Sequence, residues 1–80
     1  MKLPIIKKLV ENYTLAELEA AEAAIAEGET PAIEVQGEDE GEQLTHAYAA
    51  MTIKQDMEQN GKELKTALRD YTNRVRECLN

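Results

Sequence analysis

The chain has one cysteine, one histidine, two prolines and three tyrosines, and neither tryptophan nor phenylalanine. A lone thiol, Cys78, can form no internal disulfide. Structural zinc takes four ligands drawn mostly from Cys and His, so one of each does not build such a site. No apolar run approaches the ~20 residues that a membrane span needs. The start, Met1 to Lys8, gathers only Leu3, Ile5 and Ile6 around Pro4, which is too short an apolar core for a signal peptide. These absences give a cytoplasmic reading, with which a free cysteine agrees.

Basic residues are scarce where acids are dense. Glu11 to Glu58 holds thirteen acids against one base, Lys54, within a net charge of −7. The first ten residues carry only cations (Lys2, Lys7, Lys8), and Gln59 to Asn80 is again net basic. An acidic middle repels phosphate backbones and anionic lipid surfaces, so neither nucleic acid nor membrane is expected as a partner. Basic ends and an acidic middle complement one another within a chain or between two copies.

What remains is helical. Pro4 suits a first helical turn, and Ile6, Leu9, Val10 and Tyr13 follow at helical spacing, predicting a helix over residues 4–13. Thr14 and Glu17 form a capping box that opens a second helix through Leu15, Leu18, Ala21 and Ile25 to Gly28. The segment 29–41 does not read as helix. Pro31 disfavours it, and Ala32 to Gln36 alternates apolar and polar, as a half-buried strand or an anchored extended linker would. A third helix is expected from about Glu40 to Gln59. Its two apolar stripes, Leu44-Ala47-Tyr48-Met51 and His46-Ala50-Ile53-Met57, mark it as the centre of the fold. Asn60-Gly61 stops it. A fourth helix over 62–78 presents Leu64, Ala67, Leu68, Tyr71, Val75 and Cys78, with Lys and Arg on its solvent face. The fold class is all-α: one domain over residues 1–80, a small four-helix bundle of two helical hairpins joined by an extended segment.

A domain of 80 residues buries only about 60% of its unfolded surface. Such domains usually add a disulfide, a metal or a second subunit. With the first two excluded, a homodimer is expected, and Ile33, Val35, Tyr48 and Met51 are the candidate interface.

Candidate chemistry is sparse. Glu38-Asp39-Glu40-Gly41-Glu42 clusters carboxylates as a cation site would, but lacks the EF-hand spacing, and acids also gather at helix N-termini to meet the macrodipole. Glu42 and His46, at i and i+4, are the weak metal candidates, but a di-iron bundle needs Glu-x-x-His and further inward glutamates. Cys78 near Arg74 and Arg76 is a candidate thiolate, though its spacing from Tyr71 and Val75 fits packing. No Ser/His/Asp arrangement, glycine-rich phosphate loop or inward carboxylate pair is present, so no catalytic residue is assigned and no enzyme or cofactor is expected.

The stretches Met1-Lys-Leu-Pro-Ile-Ile-Lys-Lys-Leu-Val-Glu11, Pro31-Ala-Ile-Glu-Val35, Glu38-Asp-Glu-Gly-Glu-Gln-Leu-Thr-His46 and Ala67-Leu-Arg-Asp-Tyr71 together resemble a small family of bacterial proteins of unknown function and of about this length. The resemblance implies no activity, substrate or catalytic residue. A further likeness to accessory partners of thioredoxin and peroxiredoxin systems draws no support from Cys78 alone. The functional expectation is a small protein–protein interaction module. The alternative is a metal- or redox-linked accessory protein using Glu42, His46 and Cys78.

Overall fold

A computed structural model describes residues 1–79, with side chains through Glu77. Four helices follow in order: α1 (Leu3–Asn12), α2 (Leu15–Ala26), α3 (Glu40–Asn60) and α4 (Leu64–Leu79). None of the described helices is long and apolar enough to cross a membrane.

The boundaries follow local chemistry. Pro4 sits in the first turn of α1. At the start of α2 the Glu17 N–H donates to Thr14 Oγ1 (3.2 Å) and the Thr14 N–H donates to Glu17 Oε1 (2.9 Å), closing the capping box. Asp39 caps α3 by accepting the Glu42 N–H at 2.8 Å. Gly61 ends α3 with φ +65°, a left-handed conformation that costs glycine nothing. The C-terminal end of α1 is capped from another helix: Lys54 Nζ on α3 donates to the Val10 carbonyl (3.0 Å), placing a cation at the negative end of the α1 dipole.

α3 is the spine. Its 21 residues span about 31 Å at 1.5 Å per residue, which matches the longest extent of the molecule, 31 Å. α1, α2 and α4 each pack against it, and α1 also touches α4. His46, Ala47, Ala49, Ala50 and Ile53 are buried on it. Three of those five are alanines, which let three neighbours approach one helix closely. Ile6, Leu9 and Val10 of α1 and Leu18, Ala21 and Ile25 of α2 complete the core with Ala67 and Tyr71 of α4. The hairpin formed by α3 and α4 packs directly. α1 and α2 instead share α3 and make little contact with each other, because the one buried stripe on each helix is taken up by the spine.

The segment between α2 and α3 forms no strand. It is an anchored linker: Val35 is buried in the core and Ile33 packs half-buried beside it. Gly37 passes so close to α3 that a Cβ there would lie 2.8 Å from the Gln43 backbone nitrogen. Any side chain at this position would push the linker off the helix.

Candidate functional site

Glu42 and His46 do not form a metal pair. His46 is fully buried. Its Nε2 accepts the Lys2 backbone N–H at 2.9 Å, and its Nδ1 lies 2.7 Å from the Gln36 carbonyl oxygen. Lys2 brings a proton, so Nε2 must offer its lone pair and Nδ1 must carry the hydrogen donated to Gln36. Both nitrogens are committed to backbone, and no lone pair is left for a metal. The histidine ties three segments together: the start of α1, the linker and α3. Among the described residues, no three His, Cys, Asp or Glu side chains gather as a metal ligand set would.

The acidic run resolves into capping. Asp39 holds the Glu42 N–H, and Glu42 Oε1 accepts the Glu38 N–H at 2.9 Å. Lys2 Nζ lies 3.7 Å from Glu38 and 3.9 Å from Glu42. The Glu38 N–H, helped by the Lys2 charge, holds the Glu42 carboxyl below its ordinary value. These carboxylates meet backbone donors and a lysine, with Glu40 at the positive end of the helix.

Of the four expected interface residues, Val35 is buried and Ile33 half-buried. Met51 is half-buried against the core. Tyr48 is 51% exposed, on the line of α3 that the other helices leave open. Tyr71 is the buried one, with the Arg74 guanidinium 5.8 Å from its ring centre, and burial pushes its phenol above the ordinary value. The Cys78 side chain, a candidate thiol, lies outside the described residues.

Between α1 and α4 runs an open groove of about 650 Å³ whose apolar part is made by Leu3, Leu64 and Leu68. Leu3 is 38% exposed. Leu64 and Leu68 are half-buried, touching the core with one side and the groove with the other. Lys7, Lys65, Arg69 and Arg76 surround it, and no acid lines it. Those four are nearly half of the nine lysines and arginines in a chain of net charge −7. None of them is ion-paired among the described residues, whereas Lys2 and Lys62 are. Such a surface lacks the parts of a reaction centre.

The signal for this groove was partly in the sequence. Lys65, Arg69 and Arg76 share one side of α4, beside Leu64 and Leu68. The missing information was that α1 stops short of covering those leucines, which is a matter of tertiary placement.

Comparison with known proteins gives one match. A family model described as a family of unknown function (DUF6952) covers residues 1–80. No curated protein matches the chain. No solved structure matches it either.

Proposed function

The chain belongs to that family of unknown function, and since such membership supplies no activity, we propose from its geometry that it is a small cytoplasmic protein-interaction module that works as a homodimer. The observation that carries this reading is the groove between α1 and α4, where exposed Leu3 and half-buried Leu64 and Leu68 lie inside a ring of cations that have no ion pair among the described residues. A domain this small has little apolar area to leave uncovered, because its margin of stability depends on burial. Leucines kept at the surface in such a domain are explained by a second surface that covers them.

A dimer that is part of the folded state makes the melting temperature depend on protomer concentration, since mass action stabilises the associated form. The melting temperature of the native chain is expected to rise as concentration goes from micromolar to hundreds of micromolar. In the variant Leu3→Gln/Leu68→Gln that dependence should vanish while the helical circular dichroism signal is kept. A melting temperature independent of concentration in the native chain would remove the homodimer from this reading.

A further inference from the structure

We propose that the groove between α1 and α4 receives the outer face of α2 from a second copy of the chain, reciprocally, so that each protomer seats the other's α2. The proposal rests on the homodimer reading above and names the surface that closes it. α2 is the chemical opposite of the groove. It carries no lysine or arginine. On the side away from Leu18, Ala21 and Ile25, the exposed Ala16, Ala20 and Ala23 fall at i, i+4 and i+7. Glu17 and Glu19 flank that line on either side and Glu27 follows at its end, all three exposed. A solvent-facing helix line is ordinarily polar. One made of alanine lets a second helix surface approach to the close end of the usual 8–10 Å spacing. Leu3, Leu64 and Leu68 can then cover the alanines, while Glu19 and Glu27 reach the cations around the groove, Lys7, Lys65, Arg69 and Arg76. Opposite charge at both edges of the contact sets its orientation and speeds encounter.

Charge exchange tests this with the full chain. One variant reverses the groove, Lys65→Glu/Arg69→Glu. The other reverses α2, Glu19→Lys/Glu27→Lys. All four side chains are exposed and none makes a hydrogen bond or ion pair among the described residues. Lys65→Glu places an acid in the first turn of α4 and Glu27→Lys places a base at the end of α2, both in the sense the helix dipole favours. Circular dichroism checks that each variant folds.

Light scattering is expected to give twice 9.0 kDa for the native chain and 9.0 kDa for each variant alone. An equimolar mixture of the two variants should regain the doubled mass, because both of its contacts then pair opposite charges. Raising salt should weaken the native dimer. If both variants stay dimeric, or if the mixture stays monomeric, the α2 contact is overturned while a homodimer built on another face survives. A mass that climbs without limit with concentration would overturn the reciprocal arrangement, since one-way docking makes open chains. A native chain of 9.0 kDa throughout would overturn this contact and the homodimer reading together.

Discussion

His46 shows how far a single side chain can depart from its sequence neighbourhood. Its spacing on α3 marked it as packed, and it is, but its two partners lie elsewhere: the Lys2 N–H is 44 residues away and the Gln36 carbonyl is 10 away. Neither partner is legible in the sequence, because a backbone group carries no residue-type signature. The glutamate four residues before it suggested a metal pair for the same reason, since spacing records which side chains share a helix face and not where the lone pairs go. Removing the ring leaves a cavity and takes the partner from the Lys2 N–H and from the Gln36 carbonyl. His46→Ala should therefore cost roughly 3 kcal/mol. His46→Phe fills the site with a somewhat larger ring and loses both hydrogen bonds, and should still cost about 2 kcal/mol. Urea unfolding monitored by circular dichroism measures both. A phenylalanine variant as stable as the native chain would mean that the ring acts as filler and not as a clasp.

At the scale of elements, the turn signals were read directly. The Thr14–Glu17 box, Pro4 in the first turn and Gly61 at the end of α3 stand where the sequence placed them, because each is a local interaction between residues at most four apart. The open line of α3 was not legible. Tyr48 shares a stripe with Leu44, Ala47 and Met51, yet only the packing of α1, α2 and α4 decides which side of a thrice-covered helix is left to solvent.

The turn between α3 and α4 carries an electrostatic tie with a testable sign. Lys62 Nζ bridges Asp56 on α3 and Asp70 on α4, at 2.9 Å each. Hydrogen bonds to those carboxylates raise Lys62 above its ordinary 10.5, and burial raises Tyr71 above 10.0. In both cases the folded chain keeps a proton that the unfolded chain gives up first, so stability present below these values is lost as pH rises through the folded-state ones. Conversely, Asp56 is lowered from 3.8, chiefly by Lys62, and Glu42 is lowered from 4.5, so their contribution is lost as pH falls through the folded-state values below those figures. Thermal melts should accordingly decline above about pH 10. Lys62→Met and Tyr71→Phe should each flatten that decline. An alkaline limb unchanged in both variants would place its cause elsewhere.

For the molecule as a whole, the all-α architecture with a central third helix followed from periodicity alone, since four apolar stripes of the right spacing admit few other arrangements. Within one chain the linker forms no strand, and the burial of Val35 together with the close pass of Gly37 anchors it to the core. The groove between α1 and α4 was least legible. Leu64 and Leu68 have the spacing of core residues, and the sequence cannot say that α1 covers only one side of them. Charge segregation along the chain was visible from the start, and the fold gathers four of its cations around exposed Leu3 and half-buried Leu64 and Leu68 while α2 turns alanine and glutamate outward.

The central claim is that this small domain completes itself with a second copy. The most direct test is the mass of the native chain by light scattering at micromolar and tens-of-micromolar concentrations, in low salt. The account predicts a particle of twice 9.0 kDa whose share of the total grows with concentration. A particle of 9.0 kDa at every concentration would contradict it.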